Sequence, residues 1–134
     1  MRSKVVICGS FHRDLSGLQR LFKELEATGC RILSPISLDF TNLSDPVVVT
    51  NSECGLSVEE LEKFHLRAMR DSDLIWLHAP AGHIGISASY ELGYANALGK
   101  PVFSFNVPED EMLQTRVIPA VSVFDGLEKA KLIV

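Results

Sequence analysis

Leu74-Ile75-Trp76-Leu77 is an uninterrupted apolar run, and a glycine-spaced turn at residues 79–86 separates it from a nearly all-apolar segment at residues 87–98. A short apolar run bounded by turn residues is typical of a strand that is buried on both faces of a parallel sheet. The apolar segment is long enough for a helix, and Gly99 behind it can adopt the left-handed conformation that ends helices. This strand–turn–helix unit predicts an α/β fold.

The chain before this unit shows the same alternation of strands and helices. Val5-Val6-Ile7-Cys8 is another apolar run, and it leads directly into Gly9-Ser10. Large apolar residues then recur at helical spacing, and Ser57 and Glu60 have the spacing of a capping box that starts a further helix. These patterns predict a strand at 5–8, a helix from 15 that stops at Thr28-Gly29, a strand at 31–35 and a helix from 58 to about 70.

The chain after the unit continues the alternation less clearly. The apolar run 101–105 predicts a fourth strand. Its proline, Pro101, is at the first position, where a strand tolerates the missing amide donor. We further expect a short helix at 109–116, a last strand at 121–124, and a turn or helix from Gly126. With right-handed crossovers, these elements predict a doubly wound, mainly parallel five-stranded sheet of flavodoxin-like strand order 2-1-3-4-5.

Residues 36–55 carry Pro, Asn, Asp, Ser and Thr without a lasting period, although Val47-Val48-Val49 lies among them. Loops of about 20 residues are uncommon in compact domains unless they have a function. The segment is therefore either a candidate lid or a structural element that the pattern does not reveal.

The size and charge of the chain limit its architecture and its partners. One core normally serves about 100 to 200 residues, so the 134 residues suit a single domain, 1–134. A net charge of −4 argues against binding a nucleic-acid polymer, because phosphate neutralisation needs clustered Lys and Arg. A small anionic ligand remains compatible with this charge, since backbone N–H groups can bind it.

The cysteines and the hydropathy pattern point to a cytoplasmic protein. Cys8, Cys30 and Cys54 are odd in number and lack metal-ligand spacing, which favours reduced, buried thiols and no metal site. The apolar run at the start is too short for a signal peptide, and no run approaches the roughly 20 residues that span a bilayer. We therefore expect no membrane partner.

The predicted topology also places a ligand site. Ligands bind outside the carboxyl ends of the strands where strand order reverses, which here lies between the first and third strands. One loop of this site contains Gly9, Ser10, His12 and Arg13, and the other is 79–89. Either loop leads to a helix N-terminus whose N–H groups can hold an anion.

Glu91 is the most informative single residue. Its helix is otherwise nearly all apolar, which predicts that the helix is buried on all sides and that the carboxylate is buried with it. The alternative is that Glu91 caps its own helix, but its spacing from Ser87 and Ser89 differs from that of a capping box. The positive end of the helix favours the ionised carboxylate, which is the form that a nucleophile needs.

The segments Ile7-Cys8-Gly9-Ser10, Asp73-Leu74-Ile75-Trp76-Leu77-His78 and Tyr90-Glu91-Leu92-Gly93-Tyr94-Ala95 resemble the nucleoside 2-deoxyribosyltransferase superfamily. This superfamily includes transferases that exchange bases between deoxynucleosides and hydrolases that split nucleoside monophosphates. The resemblance implies that Glu91 attacks the anomeric carbon and forms a covalent glycosyl-enzyme. It also implies a nucleoside or nucleotide substrate, no organic cofactor, and a homodimer or higher homo-oligomer that completes the cleft.

Two positions depart from the family pattern. Val6 stands where family members often have a Tyr that orients the carboxylate, and His65 stands where many have an Asp that protonates the leaving base. His65 is either a general acid, since its ordinary pKa of about 6.5 suits this role, or a hydrogen-bonded core histidine. Asp73 either orients the leaving base or is a turn residue at the start of a strand.

The remaining candidates are substrate-binding residues. Ser10, His12 and Arg13 form one expected wall of the cleft, where Arg13 either pairs with a phosphate or is a surface charge. His78 leaves the third strand toward the expected base. Ser87 and Ser89 have two interpretations: they bind a sugar hydroxyl or a 5′-phosphate, or they cap their helix. In the hydrolases of the family, a neighbouring subunit supplies a phosphate-binding Ser, and the resemblance implies that Thr115 takes this role.

Three functions remain open from the sequence. The first is cleavage or exchange of an N-glycosidic bond. The second is an inactive nucleotide-binding or sensor module of the same fold, which the departures at Val6 and His65 favour. The third is a flavodoxin-like receiver or flavin protein, although Cys8-Gly9-Ser10 offers no acidic phospho-acceptor at the end of the first strand.

Overall fold

The fold is a parallel sheet of five strands in the order β2-β1-β3-β4-β5, as predicted. The computed structural model describes residues 2–40 and 55–131. Strand order reverses between β1 and β3, which confirms the predicted switch point. The strands are β1 (Lys4–Gly9), β2 (Arg31–Ser34), β3 (Leu74–His78), β4 (Val102–Ser104) and β5 (Ile118–Pro119).

Helices cover both faces of this sheet. On one face, α1 contacts α5, and on the other α2 contacts α3. The capping box predicted for Ser57 and Glu60 is present at the start of α2. The helices are α1 (Leu15–Ala27), α2 (Val58–Asp71), α3 (Ile86–Ala97), α4 (Glu111–Gln114) and α5 (Val123–Lys129), and a 3₁₀ turn at Pro80–Gly82 precedes α3.

Alternate residues of the central strands supply two separate apolar cores. Val5, Ile7 and Trp76 point to the core under α1 and α5. Val6, Cys8 and Leu77 point to the core under α2 and α3. Because side chains of a strand alternate between faces, Cys8 near the end of β1 is directed toward α2 and α3. This direction places the thiol in the region of Glu91.

The predicted last strand at 121–124 is wrong. The fifth strand lies earlier, at Ile118–Pro119, and Val123 is already the first residue of α5. The Ser122 hydroxyl accepts a hydrogen bond from the Asp125 amide, and the Asp125 carboxylate accepts one from the Val121 amide. This reciprocal capping pair starts a helix where the apolar residues alone suggested a strand.

The prediction that α3 is buried on all sides is also wrong. Ile86 and Tyr90 are 92% and 62% exposed, whereas Glu91 and Leu92 are buried. The helix begins after Gly85, which makes no side-chain cap, and Ser87 lies inside the first turn. The expected capping role of Ser87 is therefore not observed, and α3 has an uncovered apolar face in the single chain.

The candidate lid cannot be placed. Residues 41–54, which include Val47-Val48-Val49 and Cys54, lie outside the described residues. Among the helices of the described ranges, none combines the length and apolar character that crossing a bilayer requires.

Candidate active site

The two loops at the switch point are held together by close backbone contacts. Gly9 has a φ of 135°, and a Cβ atom at this position would lie 2.1 Å from the carbonyl oxygen of His78. The Ser10 amide donates a hydrogen bond of 3.3 Å to the same carbonyl. Only glycine is compatible with this backbone conformation and this close approach, so Gly9 allows the ends of β1 and β3 to lie in contact.

The other residues predicted on these loops take different positions. Ser10 is buried, and its Oγ lies 4.0 Å from the place that a Cβ of Gly85 would occupy, next to the start of α3. His78 is buried, and its Nε2 lies 3.0 Å from the Arg13 carbonyl oxygen, so it joins the loops. His12 and Arg13 are exposed.

Four polar side chains form a buried group between β1, α2 and α3, which we name the Glu91 cluster: Cys8, Glu62, His65 and Glu91. The Nε2 atom of His65 lies 3.4 Å from the sulfur of Cys8 and 3.5 Å from Oε1 of Glu91. The side chains of His65 and Glu91 are 12% and 10% exposed. Cys8 and Glu91 are buried, whereas Glu62 and His65 are partly accessible to solvent.

The carboxylate of Glu91 is held in its ionised form. Burial acts to raise its pKa, but hydrogen bonds from His65, Glu62 and Cys8, together with the charge of His65, outweigh burial and hold the pKa below its ordinary value. Glu91 also lies near the N-terminus of α3, where the helix dipole favours negative charge. The predicted burial and ionisation of Glu91 thus agree with its surroundings.

Glu62 is the carboxyl group of this pair that binds a proton more readily, and it was not among the site residues predicted from the sequence. Burial, followed by the charge of Glu91, raises the pKa of Glu62 to about 7. Its carboxyl group hydrogen-bonds to Glu91, while its Oε1 atom is buried with no hydrogen-bond partner among the described residues. Two adjoining carboxyl groups with pKa values moved apart are the arrangement that acid–base chemistry uses.

The imidazole ring of His65 is positioned by a hydrogen bond with Ser34. Its Nδ1 atom lies 2.7 Å from the Ser34 hydroxyl at the end of β2, and its Nε2 atom faces Cys8 and Glu91. This geometry directs the ring toward Glu91. These contacts fit the interpretation of His65 as a hydrogen-bonded histidine, and its role as a general acid stays a prediction.

Cys8 is a thiol in a site that disfavours its ionisation. Burial first, and then the charges of Glu91 and Glu62, raise its pKa well above the ordinary value. The Cys8 sulfur, a His65 nitrogen and a Glu91 oxygen lie within 4.8 Å of one another, as ligands of one metal ion would. Spacing along the sequence does not reveal this group, because its members come from three distant elements.

Four other predicted site residues are not members of the Glu91 cluster. Asp73 accepts a hydrogen bond of 2.8 Å from the Lys4 amide, at the edge of the sheet opposite to the carboxyl ends, so its observed role is in the fold. Thr115 is exposed and donates to the carbonyl oxygen of Met112. Ser89 donates to the Gly85 carbonyl oxygen within the first turn of α3, and Ser87 is exposed beside it.

A cavity of about 160 Å³ opens at the carboxyl ends of β3 and β4, beside α1. His78, Ser104 and Asp14 line it, whereas Glu91 and His65 do not. Within the described residues, this cavity is therefore not the expected single cleft between the first loop and Glu91. The cavity lies toward α1, and the Glu91 cluster lies between α2 and α3.

Comparisons with known proteins identify the fold. Neither a family model nor a curated protein matches the chain. Its structure is similar to that of the CMP N-glycosidase BcmB of Clostridium botulinum, with a TM-score of 0.59 and 17% sequence identity over 97% of this chain and 99% of that one. The chain therefore shares its α/β fold with a nucleotide N-glycosidase.

Proposed function

We propose that the protein cleaves or exchanges the N-glycosidic bond of a nucleoside or nucleoside 5′-monophosphate through a covalent glycosyl-Glu91 intermediate. The observation that carries the proposal is the buried carboxylate of Glu91, which contacts His65 at 3.5 Å and lies beside the carboxyl group of Glu62, whose raised pKa of about 7 suits a proton donor. A nucleophile and a proton source in contact are what displacement of a base from a sugar requires.

In the first step, the Glu91 carboxylate attacks the anomeric carbon while the bond from this carbon to the base breaks. The bonding electrons leave with the base, which takes a proton from the Glu62 carboxyl group. The negative charge of Glu91 stabilises the positive charge that develops on the sugar. This step ends with an ester between Glu91 and the sugar, a free base and an ionised Glu62.

In the second step, water or another base attacks the anomeric carbon and releases the Glu91 carboxylate. Glu62 removes a proton from the attacking water, which restores the starting state. If a second base attacks, the reaction is a transfer. Both outcomes use the same residues, so the choice between hydrolase and transferase depends on the acceptor that enters.

The predicted binding residues supply the remaining contacts. His65 holds Glu91 in place through its Nε2 atom, because Ser34 fixes the other side of the ring. The N–H groups at the start of α3, together with Ser10, Ser87 and Ser89, suit the sugar hydroxyls or a 5′-phosphate. His12, Arg13 and His78 remain candidates for the phosphate and base. The CMP N-glycosidase of the same fold supports a nucleotide substrate.

Chromatographic detection of free base from a mixed panel of nucleosides and their 5′-monophosphates tests the proposal. The wild-type protein should release base, and Glu91→Gln should abolish release while the thermal unfolding transition stays cooperative. Glu128→Gln on the exposed surface of α5 is the matched control and should retain full activity. Unchanged release by Glu91→Gln removes Glu91 from the mechanism.

The second candidate function is an inactive nucleotide-binding or sensor module. The observation that favours it is the low exposure of Glu91, which does not line the 160 Å³ cavity. In this case nucleotides should raise the melting temperature without releasing base. Release of base in the same samples excludes this function.

A further inference from the structure

We propose that Cys8, His65 and Glu91 form a binding site for a transition-metal ion, which we assign as Zn²⁺. One sulfur, one imidazole nitrogen and one carboxylate oxygen lie within 4.8 Å of one another in a buried position. The three side chains come from β1, α2 and α3, so the elements that build the core also hold the ligands together. The site does not depend on the proposed glycosidase function.

The distances within this group match a tetrahedral zinc site. Zinc binds sulfur at about 2.3 Å and nitrogen or oxygen at about 2.0–2.2 Å, so ligand atoms of a tetrahedral site lie about 3.4–3.6 Å apart. The observed distances from the His65 Nε2 atom are 3.4 Å to Cys8 and 3.5 Å to Glu91. An ion can therefore enter with little movement of the side chains.

A hydrogen bond behind the histidine supports the same assignment. The Ser34 hydroxyl lies 2.7 Å from Nδ1 of His65, which leaves Nε2 as the ring nitrogen that faces Cys8 and Glu91. Histidine ligands of metal sites commonly have such a second hydrogen bond, which sets the tautomer and the ring orientation. Ser34 is itself buried, so this contact is held by the fold.

The donor atoms select the kind of metal. A thiolate and an imidazole are ligands of zinc and similar transition metals, whereas Mg²⁺ and Ca²⁺ prefer sites made of oxygen. Three protein ligands leave the fourth tetrahedral position to solvent, next to the buried carboxyl group of Glu62. The group therefore suits Zn²⁺ better than the hard divalent cations.

Binding is balanced by the release of protons to the solvent. The Cys8 thiol loses its proton as the sulfur binds the ion, because thiolate is the form that binds metals, and a charged His65 also loses the proton of Nε2, because neutral imidazole is the form that binds. The thiolate and the Glu91 carboxylate then balance the two positive charges of Zn²⁺. The same carboxylate cannot bind zinc and attack a sugar, so zinc should inhibit the enzyme wherever the proposed function holds.

Titration of the purified, metal-free chain with Co²⁺ and then Zn²⁺ tests the site. Co²⁺ should give a thiolate-to-metal charge-transfer band at one equivalent, and Zn²⁺ should displace it. Cys8→Ser should abolish the band, whereas Cys30→Ser, which removes a buried thiol outside the group, is the matched control and should retain it. Circular dichroism shows whether each variant is folded, and His65→Gln provides a second variant that should weaken binding without altering a thiol.

Two further measurements decide the assignment. Calorimetry in buffers of different ionisation enthalpy should show about two protons released per zinc ion at a pH where His65 is charged and about one where it is neutral. Ser34→Ala should weaken zinc binding about 10- to 100-fold, because it removes the hydrogen bond behind His65. A charge-transfer band that is absent, or that survives in folded Cys8→Ser, overturns the proposal. Because all these readouts follow binding, they stand whether or not the protein cleaves nucleosides.

Discussion

Glu62 and Glu91 show how two identical functional groups acquire opposite protonation states. Each side chain is at least partly buried, and burial alone raises the pKa of both. His65 lies against Glu91 and stabilises its charge, and that charge in turn keeps the proton on Glu62. Much of the difference therefore arises from the imidazole ring of His65, which hydrogen-bonds to Ser34 on its other side, and hydrogen bonds from Glu62 and Cys8 add to it.

Replacing Glu62 should separate its role as a proton donor from that of Glu91. With natural nucleosides, Glu62→Gln should slow base release by about 10²- to 10⁴-fold, since the leaving base then receives no proton. With a 4-nitrophenyl glycoside, whose leaving group needs no proton, the first step should be nearly as fast as in the wild type. Single-turnover measurements with both substrates check this expectation.

Glu59→Gln is the matched control for Glu62→Gln, because Glu59 lies exposed on the same helix and pairs with Lys63 at the surface. It should leave both rates unchanged. An equal loss with both substrates in Glu62→Gln would contradict the role as proton donor and point to a defect of the nucleophile instead.

At the scale of single residues, Glu91 could be predicted as a site residue from the sequence, whereas Glu62 could not. A carboxylate among apolar residues is conspicuous, and burial could be inferred for Glu91 from its neighbours. Glu62 follows Glu59 and Glu60 and precedes Lys63, which together have the pattern of a solvated helix face. Only the packing of α2 against α3 turns Glu62 inward, and this contact between distant segments has no local signal.

At the scale of the helices, substitutions of two glycines test how tightly α5 and α3 pack against their neighbours. A Cβ atom on Gly126 of α5 would lie 2.6 Å from the buried ring of Trp76, whereas one on Gly93 of α3 would have no atom within 4 Å. Gly126→Ala should lower the free energy of unfolding by about 1–3 kcal/mol because of overpacking. Gly93→Ala should raise it by about 0.5–1 kcal/mol because alanine is the better helix former.

Chemical denaturation at one protein concentration measures both variants, and the opposite signs make each the control of the other. Equal effects would show that the space around Trp76 is not limiting. Gly126 therefore reports on the approach of α5 to the sheet, which no apolar periodicity in the sequence describes.

The ends of elements were the weakest part of the sequence interpretation. Val121 to Phe124 contain three large apolar residues, but Ser122 and Asp125 have the spacing of a helix cap, and the cap decides the structure. The Ser-x-x-Asp signal was present in the sequence. Conversely, Ser87 and Ser89 were candidate caps, and the helix instead begins after the uncapped Gly85.

At the scale of the molecule, the strand order was predictable because each buried strand is continuous and each connection is long enough for a crossover helix. The right-handed rule then leaves few topologies. The division between the α1 cavity and the Glu91 cluster was not predictable, because it depends on which face of β1 and β3 each side chain occupies. Cys8 and His78 belong to adjacent strand ends but lie in different environments.

Self-association is the prediction that belongs to the molecule as a whole. The exposed apolar face of α3, which includes Ile86 and Tyr90, is the surface that a second copy of the chain would cover. Light scattering should give the mass of at least a dimer, and Tyr90→Lys should reduce it to that of the monomer. Phe124→Lys, at an exposed aromatic residue on α5, is the control and should leave the mass unchanged. A monomeric wild type at all concentrations would exclude a homodimer.

The contact of Gly9 with the His78 carbonyl determines how the protein can discriminate ligands by size. The Ser10 amide and the His78 ring add two more bonds between the same loops, so β1 and β3 cannot separate at their ends without breaking all three contacts. If a ligand binds as we propose, we expect a bulkier one to be accommodated by shifts of the first turns of α2 and α3. Selection for a larger or smaller base should act through substitutions in those turns, while the strand ends stay unchanged.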